Sequence, residues 1–368
     1  MNPQQESKEN KIRIGITHGD VNGVSYEIMI KTFLDHRLME LFTPIIYGSS
    51  KVASYHRKVL NITDFSLNLI KKAEFANPKR PNIINCYEKE IKIELGKSTK
   101  IAGELSFLAL EQACNDLKSK SLDILVTTPI NKANIQSGDF KFPGHTEYLA
   151  EKFNSEDVLM VMIHNNLRIG VITGHIPLKE VAGKITKESI LKKIKILHDS
   201  LVVDFNIQKP KIALLGLNPH SGDSGLLGEE EEKFIIPAIQ EAMDDNMLVF
   251  GPFAADGFFG SSNYTRFDAI LATYHDQGLI PFKTLAFDEG VNFSAGLPFV
   301  RTSPAHGTGY EIAGKNMASP NSFRQAIYLG MDIYKNRQEY QELLANPLEK
   351  GRLEGEANEK QNKNSAIQ

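Results

Sequence analysis

Short apolar runs alternate with longer amphipathic stretches along most of the chain. The runs have the length of buried strands, and the stretches place apolar residues at helical spacing. The pattern predicts strands at Ile12–Thr17, Pro44–Tyr47, Ile91–Leu95, Leu122–Thr127, Val158–His164, Leu167–Thr173, Ile212–Leu217 and Ala269–Thr273. It predicts helices at about Ser25–Phe33, Ala102–Leu117, Ile190–Leu201, Glu229–Met243 and Ser322–Tyr334.

This alternation of strands and helices implies an α/β fold, with a mostly parallel sheet flanked by helices and a few antiparallel strands. Asn165 and Asn166 separate two strand-like runs and predict a two-residue hairpin. At 368 residues the chain is long enough for two domains. We expect a first domain over residues 11–137 and 300–347, and a second over residues 138–299. The charged, apolar-poor residues 348–368 predict a disordered tail.

Composition and charge argue against four classes of protein: nucleic-acid-binding, disulfide-rich, secreted and membrane-spanning. The formal net charge of −3 gives no reason to expect a nucleic-acid partner. The two cysteines, Cys86 and Cys114, lie in different segments, so neither a disulfide framework nor a Cys-x-x-Cys metal site is expected. Residues 1–11 lack the apolar core of a secretory signal, and no apolar run approaches the roughly 18–20 residues that span a bilayer. These features predict a cytoplasmic protein with no membrane partner.

Three histidines, His175, His220 and His275, each stand just after an apolar run that predicts a buried strand. The carboxyl ends of parallel strands line one edge of a sheet, which is where ligands bind. Three imidazoles at that edge predict a divalent-metal site with positions left open for substrate. Their softness favours zinc, cobalt or nickel, although Mg²⁺ or Mn²⁺ can serve where substrate oxygens complete the shell. His18 and His145 also stand beside strands or turns, so spacing alone does not force this choice.

Two further segments could hold an anion. The glycine-rich loop over residues 216–228 can wrap a phosphate with backbone N–H groups. The same loop suits a tight strand-to-helix connection, and the acids Asp223 and Glu229–Glu232 argue against a bare anion site. The turn Gly144-His-Thr-Glu147 presents His145 and Thr146 at a predicted helix start, which suits a substrate anion. A simple capping turn, with Thr146 as the N-cap, is the structural alternative.

Lys283, Asn292 and Arg301 lie 9 residues apart in turn on a stretch punctuated by glycine and proline. Two cations and an amide can clamp a phosphate and a carboxylate, and Arg does so with two parallel hydrogen bonds. A single Lys or Arg is usually a solvated surface charge, and Arg301 fits that description least. The glycine-spaced loop His306–Lys315 allows its backbone to approach a ligand closely.

Taken together, these segments resemble the family of PdxA, the 4-hydroxythreonine-4-phosphate dehydrogenase of vitamin B6 biosynthesis. The resemblance runs from about Ile12 to about Tyr334. The motifs that carry it are Ile16-Thr-His-Gly-Asp20 with Glu27, Thr128-Pro-Ile-Asn-Lys132, Gly144-His-Thr-Glu147, Gly174-His175, Gly216-Leu-Asn-Pro-His220, Gly251-Pro-Phe-Ala-Ala-Asp256, Tyr274-His-Asp-Gln-Gly278, Gly290-Val-Asn292 and Gly296-Leu-Pro-Phe-Val-Arg-Thr-Ser303. The motifs that end at His220, Gly278 and Ser303 are long and specific.

The resemblance implies a role for each matching residue. The residues that match the family's divalent-metal ligands are His175, His220 and His275. Those that match its substrate-binding positions are His145, Thr146, Lys283, Asn292 and Arg301. It implies an isocitrate/isopropylmalate dehydrogenase-like fold of two α/β/α domains with a cleft between them. It also implies a homodimer whose metal site takes histidines from both subunits.

The cofactor implied by the resemblance is NAD or NADP. His306, Gly307 and Thr308 resemble the HG[ST] cofactor loop of isocitrate and isopropylmalate dehydrogenases, and we expect them to lie near the adenosine end. With no Rossmann glycine fingerprint, the sequence does not locate the acidic residue that would bind the ribose. The first loop departs from the family's usual GDPAGIGPE, since it is Gly19-Asp-Val-Asn-Gly-Val-Ser-Tyr-Glu27. Asp288-Glu-Gly290 also carries two acids ahead of Asn292.

The implied reaction is oxidation of 4-phosphohydroxy-L-threonine at C3, followed by decarboxylation to 3-amino-2-oxopropyl phosphate. One divalent cation per site, Zn, Mg, Co or Mn, is expected to act as a Lewis acid. Lys283 and Asp256 are the candidate proton acceptors. Three other functions stay open. They are a dehydrogenase for a four-carbon sugar-acid phosphate such as threonate or erythronate 4-phosphate, a three-histidine metallohydrolase, and a non-catalytic protein that binds a phosphorylated metabolite.

Overall fold

Twelve strands form one continuous sheet in the computed structural model, which describes residues 11–138, 140–155, 157–286 and 288–345. The strands are β1 (Ile12–Thr17), β2 (Phe42–Gly48), β3 (Asn68–Ile70), β4 (Asn82–Asn85), β5 (Ile124–Thr127), β6 (Leu159–His164), β7 (Leu167–Thr173), β8 (Lys211–Leu215), β9 (Leu248–Phe253), β10 (Ala269–Tyr274), β11 (Val291–Ala295) and β12 (Val300–Pro304). Their order across the sheet is β3-β4-β2-β1-β5-β12-β11-β6-β7-β10-β8-β9.

The two halves of this sheet run in opposite directions. From β3 to β12 all neighbours are parallel, and from β7 to β9 they are parallel again. Between these blocks, β11 and β6 are joined by antiparallel pairings to β12, to each other and to β7. The carboxyl ends of β5 and β12 therefore lie at the opposite sheet edge from those of β7, β8 and β10.

Helices cover both faces of the sheet. They are α1 (Ser25–Phe33), α2 (Leu38–Leu41), α3 (Ser50–Val59), α4 (Lys100–Lys118), α5 (His145–Lys152), α6 (Leu178–Val181), α7 (Lys187–Val203), α8 (Ile236–Asp244), α9 (Ala255–Gly260), α10 (His275–Leu285) and α11 (Asn321–Ala345). α11 packs closely against β5 and β12, since a Cβ at Gly330 would lie 3.2 Å from Ile124. Of the helices within the described ranges, none has the length and apolarity to cross a membrane.

The predicted α/β class with a mostly parallel sheet is confirmed. β1, β7 and α1 have the predicted bounds, and β6 and β7 form the hairpin predicted at Asn165-Asn166. The division into domains stays a prediction, although the first sheet half is built from residues 12–127 and 300–304 and the second from residues 159–295. The predicted disordered tail, residues 348–368, lies outside the described residues.

The strand predicted at Ile91–Leu95 is wrong. Backbone groups of this segment bond to the loop after β1 instead of to a neighbouring strand. Glu94 N donates to Asn22 Oδ1 at 2.8 Å, and the next glycine, Gly96, donates its N–H to Asn22 O at 2.9 Å. The apolar side chains pack against the core from an extended segment that lies outside the sheet. The alternation of apolar residues therefore predicted correctly that these side chains pack against the core. It did not predict that the backbone of the segment bonds to a loop instead of to a strand.

Candidate active site

A cleft of about 230 Å³ gathers most of the predicted site residues. The predicted residues that line it are His145, Thr146, His175, His275, Lys283, Asn292, Arg301, His306 and Gly307. They come from both halves of the sheet. Arg301 lies on β12 of the first half and Asn292 on β11 in the middle. His275 and Lys283 lie on α10, the helix that follows β10 of the second half. Residues of β5, β6, β11 and β12 line the cleft, so it lies across the middle of the sheet. This differs from the single sheet edge that strand ends alone suggest.

Arg301 brings a buried positive charge to the cleft, with 2% of its surface exposed. Its Nε and Nη2 donate to Thr127 Oγ1 at 3.1 and 2.6 Å, and its Nη1 donates to Ser294 Oγ at 3.1 Å. Among the described residues, no carboxylate forms an ion pair with it. Burial lowers the pKa of Arg301 to about 10, so the guanidinium keeps its charge at neutral pH. A buried charge without a counter-ion is costly, which suits this position to an anionic ligand.

Two polar atoms of residues that line the same cleft are also buried without a partner among the described residues. They are Nε2 of His145 and Oδ1 of Asn292, neither of which has a hydrogen bond within the described part of the chain. The pKa of His145 lies well below its ordinary value because of burial and the nearby charges of Arg301 and Lys132. The imidazole is therefore neutral at physiological pH and can exchange one hydrogen bond with a ligand.

Thr146 does not cap the helix, so the capping alternative is wrong. The N-cap of α5 is Gly144, and no side chain accepts a hydrogen bond there. Thr146 instead lies in the first turn with its Oγ1 2.9 Å from Ser294 Oγ. Ser294 in turn accepts a hydrogen bond from Arg301. The hydroxyl of Thr146 therefore belongs to the polar lining around the buried guanidinium.

His175 and His275 lie side by side, with ring centroids 5.6 Å apart. Each presents Nδ1 to a carboxylate: His175 to Glu147 Oε1 at 3.5 Å, and His275 to Asp276 Oδ1 at 2.6 Å. A carboxylate on one ring nitrogen orients an imidazole so that the other nitrogen can bind a metal. These two histidines therefore have the donor chemistry of metal ligands.

The third histidine lies elsewhere. His220 is exposed in the loop after β8 and does not line the cleft. Within the residues that the structure describes, no group of three or more His, Cys, Asp or Glu is placed to hold a metal ion. The three strands that precede these histidines, β7, β10 and β8, are parallel, as predicted, and β10 lies between the other two. A single chain thus gathers two of the three predicted ligands.

The loop around His220 has an unusual backbone. Six successive residues, 220–225, have positive φ, including His220 at 52° and Ser221 at 54°. Non-glycine residues adopt this region at a cost of about 1–2 kcal/mol each. Hydrogen bonds to a glutamate side chain hold the start of the loop in place. Glu231 Oε1 accepts from Leu217 N at 2.7 Å and from Asn218 N at 2.8 Å. Backbone strain of this kind clusters at functional sites, and His220 is exposed on this loop.

Gln277 fixes the relative position of the two histidine-bearing segments. Its Oε1 accepts from Thr273 N at 2.8 Å at the end of β10, and its Nε2 donates to Gly216 O at 2.6 Å in the loop after β8. Gln277 therefore ties the end of β10, which precedes His275, to the start of the loop that carries His220.

The remaining predicted residues divide between the cleft and its surroundings. Asp256 is exposed on α9 and does not line the cleft. Thr308 also lies outside the lining, and its carbonyl accepts from Val24 N at 2.9 Å. His306 does line the cleft, and its Nε2 is buried without a partner among the described residues while Nδ1 lies 2.9 Å from Gly307 O. An unpaired ring nitrogen at this point fits a ligand with a polar group.

Sequence reasoning assigned no role to three residues that line the cleft or brace it. Lys132 Nζ lies 2.7 Å from His175 Nε2, Glu147 faces the other nitrogen of that ring, and Ser294 bridges Thr146 and Arg301. Burial lowers the pKa of Lys132, with Glu147 opposing and Lys283 adding to that shift. Lys132 follows the predicted strand Leu122–Thr127 by five residues. Because ligands bind beyond the carboxyl ends of parallel strands, this position could have identified Lys132 as a candidate site residue.

Comparison with known proteins shows which family and which relatives this chain is similar to. A family model described as pyridoxal phosphate biosynthetic protein PdxA matches residues 40–330. A 4-hydroxythreonine-4-phosphate dehydrogenase of Bacteroides thetaiotaomicron is 53% identical over 344 residues, which cover 93% of this chain and 94% of that protein. An Oceanobacillus iheyensis protein provisionally named D-threonate 4-phosphate dehydrogenase is 36% identical over 87% of this chain and 97% of its own. The crystal structure of 4-hydroxythreonine-4-phosphate dehydrogenase from Klebsiella pneumoniae superposes with a TM-score of 0.74 at 30% identity, covering 88% and 99% of the two chains.

Proposed function

The chain belongs to the family of the pyridoxal phosphate biosynthetic protein PdxA, and we propose that it is a 4-hydroxythreonine-4-phosphate dehydrogenase in vitamin B6 biosynthesis. The observation that carries the proposal is the buried guanidinium of Arg301, which has no carboxylate partner among the described residues and lines the cleft beside His175 and His275. A phosphorylated amino acid supplies the anion that this charge lacks. The reaction oxidises the C3 hydroxyl and then releases the carboxyl group as CO₂.

The substrate has a phosphate, a carboxylate, an amine and a hydroxyl, and the cleft offers a partner for each kind of group. Arg301 and Lys283 supply positive charge for the two anions. The unpaired Oδ1 of Asn292 can accept a hydrogen bond from the amine or the hydroxyl, and His145 Nε2 can pair with a further oxygen or proton. Binding satisfies polar atoms that are otherwise buried and unpaired, so a ligand that lacks one of these groups should bind more weakly.

The metal ligands are proposed to be His175 and His275 of one chain with His220 of a second copy. The two cleft histidines fit a divalent cation because each has a carboxylate on Nδ1. His220 is exposed on a strained loop, which suits a ligand lent to another subunit. When bound, a divalent cation would supply Lewis acidity at the substrate's C3 oxygen. A homodimer with an active site at the subunit interface follows from this arrangement.

The cofactor is proposed to be NAD or NADP, held at its adenosine end near His306, Gly307 and Thr308. His306 and Gly307 line both the cleft and an adjoining apolar slot, so they stand between a substrate site and room for a nucleotide. The unpaired Nε2 of His306 can accept a hydrogen bond there. When bound, the nicotinamide would supply the hydride acceptor.

The chain's own residues orient the substrate and move its proton. Lys283 and Asp256 are the candidate acceptors for the C3 hydroxyl proton. Lys283 lines the cleft of the same chain whereas Asp256 does not, and it could accept the proton only as a neutral amine, in a state in which it no longer supplies positive charge to a substrate anion. Arg301, in fixed contact with Thr127 and Ser294, holds one anionic end of the substrate. Orientation by rigid, buried groups lowers the entropic part of the barrier.

The test is NADH formation followed in the near ultraviolet, with added metal and with each candidate substrate. We expect 4-phosphohydroxy-L-threonine to give the highest kcat/KM and a chelator to abolish turnover. A higher kcat/KM with threonate or erythronate 4-phosphate would reassign the substrate to a sugar-acid phosphate. Product formation without NAD would indicate a metallohydrolase, and binding without turnover would indicate a phosphometabolite-binding protein.

A further inference from the structure

Arg301 occupies both acceptor positions of the Thr127 hydroxyl. Thr127 is the last residue of β5, is buried and lines the candidate active-site cleft. Its Oγ1 accepts from Arg301 Nε at 3.1 Å and from Arg301 Nη2 at 2.6 Å. A hydroxyl oxygen has two lone pairs and one proton. With both lone pairs taken by the guanidinium, the hydrogen bond that Thr127 can still make is one that it donates.

The proton of this hydroxyl has no acceptor among the described residues. The hydrogen bonds of the Thr127 side chain within the described ranges are the two that it accepts from Arg301. A buried donor that bonds to neither protein nor water costs free energy. Because both accepted bonds come from a cation, they also polarise the O–H bond and make it a stronger donor. A ligand in the cleft is the group that can accept this proton.

Another edge of the guanidinium is built in the same way. Arg301 Nη1 donates to Ser294 Oγ at 3.1 Å, and Ser294 Oγ lies 2.9 Å from Thr146 Oγ1. One of these two hydroxyls donates to the other, so the pair also has one proton to spare, and Thr146 lines the cleft. Thr146 is one of the residues that match the family's substrate-binding positions. Two hydroxyl donors beside a buried positive charge suit an anionic oxygen and oppose an ammonium group.

We propose that Thr127 is a further substrate-binding residue, whose hydroxyl donates to an anionic oxygen of the substrate while it accepts from Arg301. Arg301 supplies the charge that attracts the anion, and the polarised hydroxyl makes the contact. No bond is broken and no proton is transferred in this step. The inference rests on the proposed function, because it takes the ligand of the cleft to be a phosphorylated amino acid.

Two variants of Thr127 and one matched control test the contact. Thr127→Val removes the hydroxyl and keeps the branched shape of the side chain, and Thr127→Ser restores the hydroxyl. Thr302→Val makes the same chemical change at a buried residue next to Arg301. The Thr302 hydroxyl donates to Ala326 O at 2.7 Å, and Thr302 does not line the cleft.

The probe is O-phospho-L-homoserine, which has the phosphate, the carboxylate and the amine of the proposed substrate. It lacks the C3 hydroxyl that would be oxidised, so it binds without turnover. Calorimetric titration of the full-length protein gives its Kd. We expect Thr127→Val to raise this Kd about tenfold or more and Thr127→Ser to recover most of the affinity. Thr302→Val should lower the Tm and leave the Kd unchanged.

A second comparison separates direct donation from an effect through Arg301. Thr127→Val leaves two Arg301 donors without an acceptor, so displacement of the guanidinium would also weaken binding. In the Arg301→Met background that guanidinium is absent, and Val at position 127 leaves no buried charge unpaired. Adding Thr127→Val to Arg301→Met should still raise the Kd about threefold or more, because an unpolarised hydroxyl remains a donor. Equal Kd values for the single and the double variant would show that Thr127 only positions Arg301, which overturns the direct contact.

The outcomes also separate this inference from the proposed function. A wild-type Kd in Thr127→Val would overturn the role of Thr127, while NADH formation from 4-phosphohydroxy-L-threonine by the wild type would still support the dehydrogenase. Weaker binding in Thr127→Val without NADH formation by the wild type would support Thr127 as an anion ligand and overturn the dehydrogenase. A wild type that neither binds the probe nor forms NADH would overturn both.

Discussion

Lys132 Nζ lies 2.7 Å from Nε2 of His175, the ring nitrogen that faces away from Glu147. An ammonium and a divalent cation cannot share this nitrogen, because both are positive and each needs its lone pair. If His175 binds a metal as we propose, Lys132 must move aside or weaken the metal's binding. The contact therefore makes the strength of metal binding depend on a residue that is not itself a ligand.

Lys132→Met should strengthen divalent-metal binding. Removing the ammonium removes a like charge beside the proposed ligand, and we expect the Kd for Zn²⁺ or Co²⁺ to fall about fivefold, a modest effect because Lys132 is partly solvated. The measurement is a competition titration against a chelating dye. Lys58→Met, on the exposed face of α3, should leave the Kd unchanged. An unchanged Kd in Lys132→Met would show that the ammonium does not compete for His175.

Arg301→Met should weaken substrate binding strongly without unfolding the protein. The variant removes a buried charge that has no ion-pair partner among the described residues, so the stability change should be small, and the KM should rise about a hundredfold or more. Steady-state kinetics measure the KM, and thermal unfolding measures the stability.

Arg337→Met is the contrasting control. It removes the ion-pair partner of Asp204, whose side chain is only 3% exposed. This variant should therefore lower the Tm while the KM stays the same. A wild-type KM in Arg301→Met would remove Arg301 from the site.

The strands that carry Asn292 and Arg301 were not predicted, and the reason is physical. β11 and β12 contain Asn292, Ser294, Arg301, Thr302 and Ser303, which interrupt any apolar run. Four of these five are nonetheless buried. Arg301 and Ser303 line the polar cleft, Ser294 accepts a hydrogen bond from Arg301, and the Thr302 hydroxyl donates to Ala326 O on α11. Hydrophobic patterning finds strands that pack on both faces, such as β1, and it misses strands whose polar face is functional.

Motif matching selected residues that the fold brings to one cleft, which hydrophobic patterning did not. Nine predicted residues line one cleft, although they come from four separate segments of the chain. The separation of His220 from His175 and His275 could not be predicted by strand position, because the three follow neighbouring parallel strands. The loop after β8 runs through six successive residues with positive φ, four of which are not glycine, and the residue pattern does not predict that backbone.

Two buried histidines should make the protein acid-sensitive. Burial lowers the pKa of His18 and of His56 from 6.5 to about 4. The unfolded chain therefore binds protons that the folded chain excludes, so stability is complete above about pH 6.5 and falls as the pH drops toward 4. Each histidine contributes a slope of up to about 1.4 kcal/mol per pH unit in this window.

The measurement is urea unfolding between pH 7 and 4 for the wild type and His18→Phe. His18 stacks on Tyr26 with ring centroids 5.6 Å apart, and both its ring nitrogens are buried without partners among the described residues, so Phe is a close replacement. We expect His18→Phe to lose part of the pH slope. His36→Gln, at an exposed position, should retain it. Equal slopes in all three proteins would refute the assignment.

Tyr310→Phe should weaken cofactor binding selectively. The Tyr310 hydroxyl donates to Asp20 Oδ2 at 2.7 Å and so ties the loop after His306 to the loop after β1. Loss of one hydrogen bond worth about 1 kcal/mol should raise the KM for NAD about fivefold and leave the KM for substrate near its wild-type value. Initial-rate kinetics with each reactant varied in turn measure this. Tyr55→Phe, on the surface of α3, should change neither constant, and a uniform change in both would indicate a structural effect instead.

The shared metal site predicts complementation between two inactive variants. His220→Ala and His175→Ala should each fold and show no turnover, because each homodimer lacks one ligand in both sites. In a mixed dimer, the His220→Ala chain keeps His175 and His275 and receives His220 from its partner, which restores one of two sites. Random reassortment makes half of the dimers mixed, so activity should return to about a quarter of the wild-type value. His175→Ala mixed with His275→Ala should stay inactive, because those two ligands belong to the same chain, whose rings lie 5.6 Å apart. Recovery in that second mixture, or none in the first, would place the three histidines differently from our proposal.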